Sequence, residues 1–435
     1  MNKWQEMYKQ KLTTAEEAAK YVQEGDICAS ACGVGEPPAL ADAIAERAKR
    51  EGIRGISHEL MLTLHHLKCQ TPEYAPEYMR HVAWFIGGPG RKAIQTGLGD
   101  FMPAHYKDVP YWWRNYRKAD IHYATVSPMD KHGFFSYGPA AGEGRAQLER
   151  ARVVLLEVNE NMPRCHGPQF VHISEVTALI ENNVPLPSLP DVPLTEEEIA
   201  IGNYIGSQIS NGATIQLGIG GMPNAVAAAI MDKRNIGFHS EMFPERAMDL
   251  MEAGVIDNTC KPIHKNVSVG SFTVGSTKLY DFIDDNPSVE FHSIDYTNNF
   301  NIIASHDNFV SINATLEVSL IGEACSETIG PMPFSGTGGQ SDFAKGALGS
   351  KGGKAFLSMN STAKKGTVSK VVPMLTHGAN VTVSKNDIDH VVTEYGIAKL
   401  RGKTASERAK EMISVAHPKF REELTYAAKK MLLIP

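Results

Sequence analysis

The feature that most constrains the fold is a pattern that occurs twice along the chain. In each copy a helix-capping signal is followed by an apolar strand-like run, a glycine turn, a proline and an alanine-rich helix. The first copy comprises Thr14-Ala-Glu-Glu17 and residues 27–31, 33–37 and 39–48, and the second comprises Thr195-Glu-Glu-Glu198 and residues 214–217, 218–223 and 225–230. The shared order, with the same Gly-x-Pro phase from Gly35 and Gly221, favours two diverged copies of one α/β unit over chance similarity.

The length of the chain, 435 residues, is too great for one ordinary core and indicates two domains. Residues 184–193 contain four prolines, which cannot join a sheet ladder or a helix interior. We therefore predict an N-terminal domain at residues 1–190 and a C-terminal domain at residues 191–435. Further strands are predicted at residues 153–158, 267–269, 309–312, 371–374 and 388–392, and a helix at residues 398–415. Strands interleaved with helices predict two similar open α/β domains with largely parallel sheets.

Charge and cysteine pattern exclude several classes of protein. The net charge of -6 and the pI near 6.3 lack the basic excess of a nucleic-acid binder. The first twelve residues are not a signal peptide and no apolar run reaches the length of a membrane span, so we expect a cytoplasmic protein with no membrane partner. The six cysteines are scattered, and no histidine pair has H-x-x-x-H spacing with an acidic partner. We therefore expect neither a disulfide framework nor a metal site.

The glycine turn at residues 218–223 lies between a predicted strand and a predicted helix. Its backbone amides can cradle a phosphate at the helix N-terminus, but the same residues can equally serve only as a tight turn. Pro223 stands where a dinucleotide fingerprint needs glycine, and the turn lacks the G-K-[ST] of a Walker A loop. These departures count against a nicotinamide enzyme and against an NTPase.

Glu241 follows an apolar run at residues 236–240 that is predicted to end a strand. Open α/β sheets bind ligands at the carboxyl ends of their strands, where a desolvated carboxylate between Phe238 and Phe243 can act as a nucleophile. Spacing alone favours the other interpretation, a surface carboxylate in a strand-to-helix loop.

Three further segments carry polar groups of possible function. Residues 334–343 form a second glycine-rich loop, anchored by phenylalanine at both ends, although a linker has a similar composition. Lys364 and Lys365 can supply positive charge to a phosphate, although solvated lysine pairs are common. Glu394 follows the predicted strand at residues 388–392 and is also typical of a surface charge.

Together these motifs resemble the acetyl-CoA hydrolase/transferase family of class I coenzyme A transferases. The resemblance extends over nearly the whole chain, and its most specific parts are residues 216–220, 239–241, 295–298, 311–318, 334–343, 361–364 and 391–396. It implies two α/β domains with the active site at the domain interface. Several separate motifs in the expected order make this match more specific than any single glycine loop.

The resemblance also implies roles for individual residues. Glu241 matches the catalytic glutamate that becomes a glutamyl-CoA thioester, and Asn298 and Glu394 match active-site residues around that thioester. The residues that match coenzyme A contacts are Gln216, Leu217, Gly218, Ile219, Gly220, Leu316, Gly339 and Lys364.

The function that the resemblance implies is transfer of coenzyme A between acetyl-CoA and a short-chain carboxylic acid by a ping-pong mechanism. We expect 4-hydroxybutyrate as the first candidate acid, with butyrate and propionate as alternatives. We also expect no tightly bound cofactor, coenzyme A as a substrate only, and a homodimer or larger homo-oligomer. The alternatives are an acetyl-CoA hydrolase, a coenzyme A-binding lyase subunit without turnover of its own and, less compatible with Pro223, a Rossmann oxidoreductase.

Overall fold

The computed structural model of the protein describes residues 2–190 and 193–435. The chain forms two compact units. The first unit consists of Met1–Pro190 and Val269–Thr297, and the second consists of Asp191–Ser268 and Asn298–Pro435. The first unit thus includes the segment Val269–Thr297 in addition to the residues up to Pro190. Asp191 and Val192, within the proline-rich segment predicted as the boundary, lie outside the described residues.

The first unit is built on a parallel sheet of seven strands. Its strands are β1 (Ile27–Ser30), β2 (Ile56–Leu60), β3 (Met79–Ala83), β4 (Asp100–Phe101), β5 (Ile121–Val126), β6 (Val153–Val158) and β7 (Ala178–Glu181), in the spatial order β4-β3-β2-β1-β5-β6-β7. Every neighbouring pair is parallel. All residues of β5 and β6 are buried, as expected for central parallel strands covered on both faces.

Helices and short strands surround this sheet. The helices of the first unit are Lys3–Lys11, Ala15–Ala19, Pro38–Glu51, Gly88–Gln95, Val109–Asn115, Gly144–Leu148, Thr277–Ile283 and Ile294–Thr297, with short 3-10 turns at Gly33–Gly35, Lys68–Gln70, Tyr106–Asp108 and Ile173–Glu175. Two-stranded ladders join Phe134–Ser136 to Phe170–His172 and Ser268–Gly270 to Val289–Phe291.

The second unit has a six-stranded sheet of the same kind. Its strands are β8 (Thr214–Leu217), β9 (Gly237–Phe238), β10 (Val310–Ala314), β11 (Lys354–Ser358), β12 (His390–Thr393) and β13 (Gly396–Lys399), in the spatial order β9-β8-β10-β11-β12-β13. The first five run parallel, and β13 pairs with β12 as an antiparallel edge strand. The predicted α/β class with largely parallel sheets is confirmed.

The remaining elements of the second unit are helices and short ladders. The helices are Glu196–Gly206, Gly221–Ala229, Glu245–Glu252, Phe300–Ala304, Gln340–Gly349, Ala405–Val415 and Pro418–Lys430. The short strands are Glu317–Ser319, Ala324–Cys325, Thr328–Ile329, Met332–Pro333, Thr362–Ala363, Val368–Ser369 and Val371–Val372. No helix in the described ranges combines the length and the apolar character needed to cross a membrane.

The repeated sequence pattern has the same structure in both units. Thr14 caps one helix by accepting a hydrogen bond from the Glu17 backbone N–H, and Thr195 and Glu198 form a reciprocal capping box on the other. Each helix precedes an internal strand of its sheet, β1 or β8, which is followed by a glycine turn and an alanine-rich helix. This correspondence of order agrees with two diverged copies of one unit.

The sequence expectation of a helix at residues 398–415 is wrong in its first part. Residues Gly396–Lys399 form β13, and the helix begins only at Ala405, where Thr404 and Glu407 make a capping box. Gly402 adopts φ 77° between the two elements, a conformation that favours glycine and breaks the helical path.

Candidate active site

The predicted site residues of the second unit share one edge of its sheet. Because β8 to β12 are parallel, their carboxyl ends lie at the same edge, where open α/β sheets bind ligands. The residues that follow these ends are Gly218 after β8, Glu241 after β9, Leu316 after β10, Ser361 after β11 and Glu394 after β12. The sheet therefore brings residues that are far apart in sequence to the same edge.

Glu241 stands at the end of a firmly anchored segment. The His239 backbone N–H donates to the Ile215 carbonyl over 3.1 Å, which extends the pairing of β9 beyond its last residue. The Ser240 hydroxyl donates to the Leu217 carbonyl over 3.0 Å. Both His239 and Ser240 are fully buried. The backbone before Glu241 is thus fixed on the neighbouring strand.

Two hydrogen-bond donors converge on the Glu241 carboxyl group. The Asn298 side-chain amide donates to Glu241 Oε2 over 2.8 Å, and the Gly339 backbone forms a second hydrogen bond with this carboxyl group. Asn298 is fully buried, and its amide nitrogen also lies 3.5 Å from Asp342 Oδ2. The structure therefore brings together three of the residues that the family resemblance singled out.

Gly339 is required by the closeness of this contact. It immediately precedes the helix Gln340–Gly349. A Cβ atom at this position would lie 2.0 Å from Glu241 Oε2 and 2.2 Å from Asn298 Nδ2, well inside van der Waals contact. Only a residue without a side chain lets the backbone approach the carboxyl group so closely.

The environment of Glu241 changes its acidity. The residue as a whole keeps some exposed surface, but its carboxyl group is densely surrounded by protein. This loss of hydration raises the pKa of Glu241 to about 7, against the opposing effect of the hydrogen bonds from Asn298 and Gly339. The neighbouring Phe238 and Phe243 are fully buried and pack edge to face, with 5.4 Å between ring centroids. Glu241 is therefore a partly accessible, desolvated carboxylate, as a nucleophile requires, and not a solvated surface group.

The first segment predicted to contact coenzyme A, residues 216–220, has a buried part and an open part. The Gln216 amide accepts a hydrogen bond from the Ile312 backbone N–H over 3.0 Å and is also bonded to the Asn313 side chain, so it ties β8 to β10. Leu217 is fully buried. Gly218 is partly exposed, and Ile219 and Gly220 are exposed, so only the turn itself is open to a ligand.

The turn ends at the helix Gly221–Ala229. Gly220 adopts φ 102° and ψ -177°, a conformation that favours glycine, and a Cβ on it would meet no atom within 4 Å. The Glu198 carboxylate lies against Gly221, because a Cβ there would be 1.8 Å from Glu198 Oε1. The free helix N–H groups favour an anion at this turn, and Glu198 limits the side from which one can approach.

The two lysines that are expected to supply positive charge to a phosphate lie on a tight hairpin. Lys364 and Lys365 adopt φ values of 50° and 55° at the turn between the strands Thr362–Ala363 and Val368–Ser369. Both side chains are exposed. The loop that contains them begins at the carboxyl end of β11, so it extends from the same edge as the glycine turn.

Glu394 is held at the far end of this edge. It accepts a hydrogen bond over 2.8 Å from the Ser361 backbone N–H and another from the Ser361 hydroxyl. β12 is the fourth strand from β9 in the spatial order of the sheet, so Glu394 and Glu241 follow different strands of the same edge. Asn298 contacts Glu241 directly, and Glu394 is hydrogen-bonded to Ser361.

Sequence reasoning missed one charged residue near Glu394. The Lys370 ammonium donates to the Thr315 carbonyl over 3.2 Å, and burial lowers the pKa of Lys370 to about 8 although the charge of Glu394 opposes this change. Nothing in the local sequence distinguishes Lys370 from a surface lysine. Only the sheet order, which places Thr315 next to the loop after β11, could have indicated its position.

Known sequence families identify the chain as a whole. The profile of the acetyl-CoA hydrolase/transferase N-terminal domain matches residues 1–190, and the profile of the C-terminal domain matches residues 275–428. The chain belongs to the acetyl-CoA hydrolase/transferase family. It is accordingly an enzyme of the CoA-transferase type.

Individual relatives of this family member match it over nearly their full length. A succinyl-CoA:cyclohexane-1-carboxylate CoA transferase of Geobacter metallireducens is 43% identical over 98% of this chain and 97% of its own. A 4-hydroxybutyrate coenzyme A transferase of Clostridium kluyveri is also 43% identical, over 98% of this chain and 99% of its own. The crystal structure of RipA from Yersinia pestis matches with a TM-score of 0.95 at 36% identity over the whole of both chains.

Proposed function

We propose that this enzyme transfers coenzyme A between acetyl-CoA and a short-chain carboxylic acid, with Glu241 as its covalent nucleophile. The observation that supports this most is the carboxyl group of Glu241, which has a pKa raised to about 7 and receives hydrogen bonds from Asn298 and Gly339. A partly accessible, desolvated carboxylate at the carboxyl edge of a parallel sheet has the position and the reactivity that acyl transfer requires.

The reaction proceeds in balanced steps. The Glu241 carboxylate attacks the acetyl-CoA carbonyl, the C–S bond breaks, and an acetyl-glutamyl anhydride and a coenzyme A thiolate form. The thiolate then attacks the glutamyl carbonyl and releases acetate, which leaves a glutamyl-CoA thioester. The acceptor carboxylate attacks the glutamyl carbonyl of this thioester, which releases the coenzyme A thiolate and forms a second anhydride. The thiolate then attacks the acceptor's acyl carbonyl in that anhydride, so a new acyl-CoA leaves and the Glu241 carboxylate is restored. The energy of the thioester is conserved, so the exchange requires neither ATP nor a tightly bound cofactor.

Asn298 and Gly339 supply the electrostatic part of this mechanism. Their N–H groups are hydrogen-bonded to the Glu241 carboxyl group, the group on which negative charge develops during attack on the glutamyl carbonyl. Donors that are fixed before the reaction stabilise such an oxyanion without reorganisation. The anchoring of Asn298 in the protein interior keeps its amide in place throughout the cycle.

The carrier is expected to bind along the same edge of the sheet. The open turn Gly218, Ile219 and Gly220 offers backbone N–H groups, and the hairpin that bears Lys364 offers a cation. Gln216 and Leu217 support this turn from within the sheet, and Leu316 begins the loop after β10. Binding of remote parts of coenzyme A can thereby drive its reacting end into place.

Our first choice of acceptor acid is 4-hydroxybutyrate, with butyrate and propionate as alternatives. One relative at 43% identity is named for 4-hydroxybutyrate and another for cyclohexane-1-carboxylate, so identity alone does not select one acid. A panel of these acids with acetyl-CoA as donor will rank them by kcat/KM. We further propose that the enzyme is a cytoplasmic homo-oligomer, and analytical ultracentrifugation will measure the number of its subunits.

Two kinetic measurements test the proposal: initial rates at varied concentrations of both substrates, and the release of free coenzyme A without an acceptor acid. A ping-pong transferase gives parallel double-reciprocal lines, and it releases free coenzyme A from acetyl-CoA slowly until an acceptor acid is added. Rapid release without an acceptor would favour the acetyl-CoA hydrolase alternative. Intersecting lines would indicate direct transfer and count against a covalent intermediate, and a protein without turnover would support the lyase-subunit alternative.

A further inference from the structure

Three metal-ligating side chains meet in the core of the first unit. His58 on β2 and His81 on β3 lie directly opposite each other in the strand register, and Cys69 comes from the short turn Lys68–Gln70. One ligand atom from each of the three lies within 4.8 Å of the other two. All three side chains are at most 1% exposed. None of these three residues belongs to a sequence motif assigned to the transfer reaction.

His81 points to a missing ligand. Among the residues that the structure describes, neither ring nitrogen of His81 has a hydrogen-bond partner. His81 is fully buried, so the lone pair of its imidazole faces protein and meets no donor among the described residues. A buried polar group without a partner destabilises the fold, and a bound cation would remove this destabilisation.

His58 is held in the way that metal-binding histidines usually are. Its Nε2 lies 3.0 Å from Glu36 Oε1, and its Nδ1 contacts the Tyr123 hydroxyl. The Glu36 carboxylate also accepts a hydrogen bond from the Thr63 hydroxyl, which fixes it as an acceptor. We therefore assign the ring proton to Nε2 and the lone pair to Nδ1. A carboxylate that orients a histidine in this manner is the common outer partner of a metal ligand.

The surrounding charges favour a cation. The carboxyl groups of Glu36 and Asp42 lie close enough to act electrostatically on both the Cys69 thiol and the Tyr123 hydroxyl. Glu36 is itself in hydrogen-bond contact with His58. A divalent ion among these groups would stabilise a thiolate and offset the negative potential of the pocket.

We propose that His58, Cys69 and His81, with the Tyr123 oxygen as fourth donor, form a structural Zn²⁺ site in the first unit. Two nitrogens, one sulfur and one oxygen supply the four ligands that tetrahedral Zn²⁺ requires. In such a site neighbouring donor atoms lie roughly 3.4–3.8 Å apart, since bonds to Zn²⁺ are about 2.1–2.3 Å. The ligand atoms of His58, Cys69 and His81 therefore need to close by about 1 Å, which rotation of Cys69 and the two rings can provide, whereas the Tyr123 hydroxyl must move away from His58 Nδ1 to reach its own coordination position.

Metal binding releases two protons and makes the site structural. Cys69 gives up its thiol proton and Tyr123 its hydroxyl proton to solvent as the Zn–S and Zn–O bonds form, and the hydrogen bond between Tyr123 and His58 Nδ1 is broken. All four donors come from the protein and are buried, so no coordination position remains for a substrate. Because the site is closed, the ion must enter during folding.

Metal analysis of the whole enzyme tests the proposal. The wild-type protein, produced in zinc-supplemented medium and passed over a chelating column, should carry about one Zn²⁺ per chain. Cys69→Ser and His81→Gln should each lose most of this zinc. Cys165→Ser is the matched control, because Cys165 is a buried free thiol of the same unit outside the cluster, and it should keep its metal.

A second measurement uses only the wild-type protein and so does not depend on whether a variant folds. Protein unfolded with a chelator and refolded with Co²⁺ should show a thiolate-to-cobalt charge-transfer band in the near ultraviolet. Refolding with Zn²⁺ should give a higher thermal midpoint than refolding with the chelator. Wild-type protein that holds no zinc and shows no cobalt band after refolding would overturn the proposal. Equal loss of metal in Cys165→Ser would overturn it as well.

Discussion

The substitution Gly339→Ala tests the geometry around Glu241 most sharply. The added Cβ would lie 2.0 Å from Glu241 Oε2 and 2.2 Å from Asn298 Nδ2, where contacts of at least about 3 Å are needed. Both atoms are the ends of side chains and not backbone atoms, so we expect the fold to survive while the Glu241 carboxyl group and the otherwise well-held Asn298 amide are displaced by about 1 Å. Loss of one oxyanion donor lowers kcat by about 10²–10³-fold, and misplacement of the nucleophile by 1 Å can cost a further 10²-fold. We therefore predict a fall in kcat of at least about 10²-fold.

The assay compares kcat for acetyl-CoA and an acceptor acid in the variant and in a matched control. Gly88→Ala is that control, because Gly88 lies at the start of a helix, as Gly339 lies next to one, and a Cβ on it meets no atom within 4 Å. Gly88→Ala should keep wild-type kcat, and both variants should keep the wild-type thermal midpoint to within a few degrees. A Gly339→Ala variant with more than a tenth of wild-type kcat would refute this account of the contact.

Three further predictions concern acidity, the carrier and the nucleophile. Because Glu241 must be ionised and its pKa is raised to about 7, the wild-type rate should rise with pH and level off above pH 7. Asn298→Ala removes a hydrogen bond that lowers this pKa, so the pH profile of the variant should shift to higher pH and its kcat should fall by about 10²–10³-fold. An unshifted profile would contradict this. Lys364→Ala should raise the KM for acyl-CoA about 5- to 10-fold with little change in kcat, while the neighbouring Lys365→Ala serves as a control; a rise only in the KM for the acid would assign Lys364 to the acid pocket. Glu241→Asp should shift the balance from transfer toward hydrolysis, since the shorter arm leaves room for water beside the anhydride, and an unchanged ratio of hydrolysis to transfer would count against this.

The sequence allowed the fold class to be predicted because its signals are local. Capping signals, apolar runs and glycine turns mark the start and end of β1, β8 and their following helices, and two copies reinforce each other. The strand β13 was missed because residues 398–415 carry one continuous helix-like pattern, and only pairing with β12 makes Gly396–Lys399 a strand. The place of Val269–Thr297 in the first unit depends on contacts over long sequence separations, which no local pattern records.

The site shows the same division between local and distant information. The position of Glu241 after a strand could be predicted from its own neighbours, but its burial and its raised pKa could not, because Asn298 lies 57 residues further along the chain. The contact of the Gln216 amide with Ile312 could not be predicted either, because it depends on the register between two strands. The cluster of His58 and His81 was invisible to motif spacing because it depends on the register between two strands.

The covalent intermediate at Glu241 is the central claim, and intact-protein mass measurement tests it most directly. The enzyme is incubated with acetyl-CoA in the absence of any added acceptor acid and quenched in acid. Its intact mass is then measured by mass spectrometry, and the adduct is located by peptide mapping. The account predicts a mass increase equal to coenzyme A less one water, carried by the peptide that contains Glu241 and removed by an added acceptor acid. It also predicts no adduct in Glu241→Gln analysed promptly after purification. A wild-type enzyme that transfers coenzyme A at full rate without forming this adduct, or that carries it on another residue, would contradict the account.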